Sequence, residues 1–198
     1  EHWKSSWDTT EGGINRTPKF PMPSNYLLLI DYNYQNKDKQ TADFVALSLK
    51  KMAYGGIFDQ IGGGFSRYSV DGKWKVPHFE KMLYDNAQLL PVYSKAYKMT
   101  KNPLYLQVIQ KTSDWLQREM KDKSNMFYAA IDADSEGEEG KYYVWTSEEL
   151  HDILGENFDL ASAFYRVDRK GAWENGSNIL LRDDDLEEIA KQFSIEKK

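Results

Sequence analysis

From Asp38 onward, Ala42, Val45, Ala46, Leu49, Met52 and Ala53 recur at three- and four-residue spacing with polar residues between them, the pattern of a helix that buries one face. Asp38 suits its start, because a carboxylate accepts from the N–H groups that the first turn leaves unpaired. The preceding run Leu27, Leu28, Ile30 and Tyr34, with Ser24 or Asn25 as cap, predicts a shorter partner helix and so a helical hairpin. Phe79, Met82, Leu83, Asn86, Ala87 and Leu90 predict a third helix, started by Pro77 in its first turn. Asn102-Pro103 reads as cap and first-turn proline for a fourth, with Tyr105, Val108, Ile109, Thr112, Trp115, Leu116 and Met120 as its apolar stripe. That pair is a second hairpin. Thr146 with Glu149 three positions on forms a capping box for a helix through Leu150, Ile153 and Leu154, and further helices are expected near 158–165 and 186–193.

Between the hairpins the period changes. Residues 65–70 and 73–76 flank Asp71-Gly72, a dipeptide that favours a tight hairpin turn. Residues 126–131 and 141–145 predict a second ribbon, joined by the acidic run Asp132-Ala133-Asp134-Ser135-Glu136-Gly137-Glu138-Glu139-Gly140. Strand and helix do not alternate as a parallel sheet requires, so the chain is mainly α, built of helix pairs stacked side by side with small β-hairpins in the loops. Glycine clusters in the long loop after Tyr54 aim side chains rather than merely connect elements.

The 198 residues, 40% of them hydrophobic, suffice for one domain over 1–198, with its core at about 11–194. A net charge of −5 and the lack of any basic stripe argue against nucleic acid as a partner. No apolar run approaches the roughly 20 residues that span a bilayer, so no membrane partner is expected and a cytoplasmic location is assigned. Cysteine is absent, which removes disulfides and thiolate chemistry. The chain opens on Glu1 with no signal-peptide pattern, and is read as a fragment of a longer protein.

The segment Tyr54 to Asn86, together with Thr17-Pro18-Lys19-Phe20-Pro21 and the acidic run continued through Lys141-Tyr142-Tyr143-Val144-Trp145, resembles the YyaL family, to which a vertebrate spermatogenesis-associated protein belongs. The resemblance covers roughly residues 11 to 182. It implies a thioredoxin-like domain elsewhere in the parent protein and, here, the N-terminal half of an (α/α)6 toroid similar to N-acylglucosamine 2-epimerases and six-hairpin glycosidases. It implies a carbohydrate-like small molecule as ligand, isomerase, epimerase or glycosidase-like chemistry in the parent, and no activity in the fragment alone. Half a toroid leaves its inner helical wall uncovered, so an exposed apolar patch or self-association through that wall is expected.

Ionisable groups gather in the same blocks. On a helix starting at Pro77, His78, Lys81 and Asp85 share one side and Glu80 and Tyr84 the next. An imidazole beside a carboxylate suits proton abstraction next to a sugar carbonyl or acid catalysis at a glycosidic oxygen, so His78 and Glu80 are the proton-transfer candidates, with Asp132 and Asp134 as supporting carboxylates. The bland alternative is that Glu80 and Lys81 solvate a helix start and His78 bonds the loop. Arg67, Tyr68 and Trp74 combine flat rings with a guanidinium that can grip a hydroxyl or carboxylate, and Asp59 and Lys19 join them as ligand-binding candidates; core packing is the alternative for the rings. Epimerases of the resembling architecture use two histidines, and this chain offers one, since His2 lies at the terminus and His151 stands among Glu148, Glu149 and Asp152. Asp132, Asp134, Glu136 and Gly137 mimic the first half of a calcium loop, but its twelfth position is Tyr143 rather than Glu, so no metal is assigned. No cofactor is expected. The competing reading of the whole is a non-catalytic scaffold attached to a thioredoxin-like domain, its aromatic loops forming an interaction surface.

Overall fold

Helices α1 (Pro23–Asn36) and α2 (Lys39–Tyr54) turn back on each other through Lys37 and Asp38. The Asp38 carboxylate accepts from the N–H groups of Gln40 and Thr41 at 3.0 and 3.3 Å, the cap its position predicts. Helices α3 (Leu83–Thr100) and α4 (Pro103–Trp115) repeat the arrangement, with Asn102 accepting from Leu104 N–H at 3.0 Å and Pro103 in the first turn. Helix α1 packs on α3 as well as α2, so the two hairpins lie side by side. The computed structural model describes residues 3–183 and 186–195, and the chain forms two compact units, Glu1–Gly140 and Lys141–Lys198.

The core of the first unit is aromatic. Trp7 stacks on Phe44 with ring centroids 4.0 Å apart, and Phe65 stacks on Tyr93 at 5.6 Å. Tyr93 is fully buried and its hydroxyl donates to Leu49 O at 2.8 Å, which satisfies the one polar atom the ring carries inside. Helix α1 differs from expectation in register. It starts at Pro23, after Met22 in a left-handed conformation, with no side-chain cap, and it buries Tyr26, Leu29 and Ile30 while Leu28 and Tyr34 face solvent.

The expected helix start at Pro77 is corrected by the structure. Pro77–His78 is strand β2, paired antiparallel with β1 (Tyr68–Ser69), and Lys81–Met82 is strand β3, paired with β4 (Ala130–Ile131). Proline can open a helix, but here the first ribbon extends past it, and α3 begins only at Leu83. The turn between β1 and β2 is also wider than the two residues Asp71-Gly72 predict. The Asp71 carboxylate gathers the N–H groups of Lys73, Lys75 and Val76, and Trp74 takes a positive φ of 63° to bury its ring.

The second expected ribbon divides. Strand β5 (Asp134–Ser135) pairs with β6 (Glu138–Glu139) about a turn in which Glu136 and Gly137 both have positive φ, the geometry of a tight antiparallel hairpin. In the second unit, β7 (Trp145–Thr146) pairs with β8 (Ser177–Asn178), and the Thr146–Glu149 capping box opens α5 (Ser147–Leu154) as its sequence predicts. Helices α6 (Phe158–Tyr165) and α7 (Leu186–Gln192) complete that unit and enclose an apolar pocket of about 450 Å³ lined by Leu160, Phe164 and Ile189. Among the described residues, no helix is long and apolar enough to cross a membrane.

Candidate functional site

Strand pairing sets the site. In the β1–β2 register Tyr68 lies opposite His78, so the two rings share a face and stack with centroids 5.0 Å apart. Phe20 closes on the other partner at 4.8 Å from Tyr68. Two residues further along, Glu80 O accepts from Arg67 N–H at 2.8 Å, and the Arg67 guanidinium donates to Glu80 Oε2 at 3.0 Å. The β5–β6 hairpin then brings Glu139 to His78, with Oε1 2.8 Å from Nδ1. Gly140 makes this approach possible: it has a φ of +77°, and a Cβ there would stand 2.3 Å from the Phe79 ring.

An ionised carboxylate only accepts, so the Glu139 contact places hydrogen on Nδ1 and leaves Nε2 to exchange a proton. Nε2 is 3.7 Å from Glu80 Oε2, beyond a hydrogen bond, so His78 stands between two carboxylates and is committed to one. Hydrogen bonding to Glu80, then the phenol of Tyr84, hold Arg67 in its charged form and raise its pKa. Asp85, in the first turn of α3, faces the same charges. Burial pushes its carboxyl up to about 6, with Arg67 opposing and Glu80 assisting, and its Oδ2 is sealed from solvent with no hydrogen-bond partner.

The structure brings His78, Glu80, Arg67 and Tyr68 together and separates other expected members. Asp134 is the cross-strand neighbour of Glu139 and so shares its face, whereas Asp132 is exposed and accepts from Asp134 N–H at 3.1 Å. Trp74 is enclosed, its indole N–H donating to Glu11 O at 2.9 Å. Lys19 is equally enclosed, with Nζ on Asp8 at 2.6 Å and Gly12 O at 2.8 Å, 5.6 Å over the Trp74 ring. Asp59 accepts from buried Lys81 at 2.9 Å and from the N–H groups of Ile61 and Gly62. These three groups build the framework on which the β1–β2 ribbon rests. His151 is exposed, and His2 lies outside the described residues.

Two features escaped the sequence reading. Glu139 reads as a solvated hairpin tip, and the left-handed residues at 136 and 137 together with Gly140 bring it to His78. Asp85 reads as a polar residue on a helical face, and nothing local shows that one oxygen is sealed. Among the described residues, no group of three or more histidine or carboxylate side chains is arranged to hold a metal ion.

No protein-family model matches the chain. Curated relatives do: human spermatogenesis-associated protein 20 is 42% identical over 160 residues, 76% of this chain and 20% of that protein. The chain is homologous to spermatogenesis-associated protein 20. An uncharacterized Caenorhabditis elegans protein is 38% identical over 190 residues, 86% of this chain and 26% of that one. The chain thus spans about a fifth to a quarter of the length of these relatives, and the family resemblance read from its motifs holds. Among solved structures, cellobiose 2-epimerase from Bacillus thermoamylovorans aligns with a TM-score of 0.57 at 16% identity over 66% of this chain and 37% of its own. A sugar epimerase from a ruminal bacterium aligns at 0.58 and 13% identity over 98% and 49%, and a family 76 glycoside hydrolase from a bovine Bacteroides thetaiotaomicron strain at 0.55 and 18% over 78% and 37%. The chain therefore has the fold of part of an (α/α)6 toroid with short antiparallel strand pairs, as expected from the sequence.

Proposed function

We propose that the His78 cluster binds a neutral, polyhydroxylated small molecule of the carbohydrate class, with His78 and Glu80 as its proton-transfer groups. The observation that supports this reading is the convergence of an imidazole, its fixing carboxylate Glu139, the Arg67–Glu80 pair and the Tyr68 ring within one strand-built face. Such a set offers donors and acceptors to hydroxyl groups and a base to a carbon acid. Arg67 is paired with Glu80 and His78 with Glu139, so the face carries no surplus of positive charge for a phosphorylated ligand. Asp134, next to Glu139 on the same face, adds a further acceptor. Proteins of the same fold are named as epimerases of cellobiose and other sugars and as a glycoside hydrolase, which makes sugars the first ligands to test.

Isothermal titration against N-acylamino sugars, neutral disaccharides and their phosphate esters checks the reading. Binding of a neutral sugar that weakens at least about tenfold in Tyr68→Ala and Arg67→Ala supports it. The absence of heat with every sugar, or equal affinity in His78→Ala and the parent, removes it.

A further inference from the structure

We propose that Phe20 is a positioning residue of the His78 site, acting through Tyr68 to hold the imidazole in the plane in which it meets Glu139; this rests on the ligand reading above. Lys19 and Ser69 exchange both backbone hydrogen bonds, N–H to O at 2.8 Å in each direction, so the segment before α1 is paired to the second edge of β1. That register, continued by one residue, sets Phe20 opposite Tyr68, as the β1–β2 pairing sets Tyr68 opposite His78. The alternation of a strand then sorts these residues onto two faces. Lys19, Ser69 and Pro77 are buried on one, and Phe20, Tyr68 and His78 form a half-buried row on the other. The rings follow the row, with centroids 4.8 Å apart from Phe20 to Tyr68 and 5.0 Å from Tyr68 to His78.

The row is held at both ends. At one, Glu139 Oε1 fixes His78 through Nδ1 at 2.8 Å. At the other, Phe20 borders a cleft of about 10 Å³ shared with Trp7, Met22 and Tyr26, too small for a phenyl ring to swing into. Trp7 stacks on Phe44 of α2 and Tyr26 belongs to α1, so Phe20 stands against the first helical hairpin. Tyr68 therefore has a ring on each side, and its angle of 22° to the imidazole is kept by a neighbour that cannot retreat. Ring pairs favour offset-stacked geometry, so a Tyr68 ring released on the Phe20 side loses the support that keeps the imidazole plane. Nε2, the atom left to exchange a proton, then moves relative to Glu80 Oε2, 3.7 Å away, and proton transfer tolerates little such error. A phenyl ring carries no proton to exchange and no hydrogen-bonding group, so the effect of Phe20 on the chemistry passes through Tyr68.

The test is the ring-proton NMR shifts of His78, which the ring current of stacked Tyr68 displaces, read in the protein carrying Phe20→Leu or Phe20→Tyr. Phe20→Leu is expected to return the His78 signals toward those of an unstacked imidazole, and Phe20→Tyr, which keeps a ring, to leave them in place. Unchanged signals in Phe20→Leu overturn the proposal whatever the protein binds, and Phe20→Met is judged by the same criterion should the leucine variant not fold. Tyr68→Leu is expected to move the His78 signals alike, with no further change when Phe20→Leu is added. A further change of similar size shows that Phe20 does not act through Tyr68, and overturns the proposal. Where cellobiose or N-acetylglucosamine binds the unaltered protein, Phe20→Leu is expected to weaken that binding at least about tenfold and Phe20→Tyr less than about threefold. Undiminished affinity in Phe20→Leu overturns the positioning role. Absence of binding by either sugar fails the ligand reading alone, and the ring-proton shifts still decide what Phe20 holds in place.

Discussion

His78 and Glu139 meet at 2.8 Å across 61 positions of sequence, and the contact exists because two short ribbons, β1–β2 and β5–β6, are folded onto each other over Phe79 and Gly140. Glu139 is half exposed, so its bond to His78 contributes little to stability, about 0–1 kcal/mol. Glu139→Gln is therefore expected to leave urea unfolding within about 1 kcal/mol of the parent while lowering affinity for a bound neutral sugar about tenfold, since the imidazole loses its fixed tautomer. A large stability loss with unchanged affinity would make the pair structural.

Lys81 and Asp59 behave in the opposite way. Lys81 is fully buried, burial lowers its pKa, and Asp59 at 2.9 Å, Gly63 O at 2.9 Å and the Trp115 ring at 5.1 Å offset that cost. Removing the carboxylate leaves a buried ammonium short of its partner. Asp59→Ala is expected to cost about 3–5 kcal/mol in denaturant unfolding, and Asp59→Ala with Lys81→Met to recover most of it. Failure of the second change to rescue the first would argue that Asp59 acts outside this pair.

Trp74 separates framework from ligand contact. Its ring is buried against Gly13, where a Cβ would come within 2.5 Å of Cζ2. Trp74→Ala is expected to cost about 3–5 kcal/mol through the cavity it leaves, read as a fall in urea midpoint. A stable variant that lost only sugar binding would instead put the indole in the site.

Asp85 gives the pH dependence. Its carboxyl stays protonated in the folded chain up to about 6, against 3.8 for an ordinary aspartate, so between those values the folded chain holds more protons than the unfolded one. Stability from this group is therefore lost as pH rises across that window and is lowest above it. Asp85→Asn is expected to raise unfolding free energy by about 1–2 kcal/mol near pH 7, after allowing for solvent screening, and by nothing near pH 3. Equal effects at both pH values would show that the shift is not the cause.

Legibility followed range. Asp38, Asn102-Pro103 and the Thr146–Glu149 box are local devices, and each helix they open starts where its cap is written. Pro77 is compatible with a helix start or a strand, and its pairing with Ser69 decides between them, which no local pattern records. His78 and Glu80 were legible as candidates but on an expected helix, and Arg67 and Tyr68 on a ribbon, so that the four form one group appears only in the pairing of β1 with β2. Glu139 was not, because its contact with His78 is made across the second helical hairpin, and the burial of Trp74 and Lys19 was not legible because it depends on the whole core.

The central claim, that the His78 face is a ligand site, is tested most directly by mapping. Amide and side-chain NMR shifts of the protein titrated with cellobiose and with N-acetylglucosamine are expected to move at Arg67, Tyr68, His78 and Glu139 in a saturable manner with at least one of the two. Saturable shifts confined to other residues, such as those of the apolar pocket around Leu160 and Ile189, or no shift with either sugar, would contradict the account.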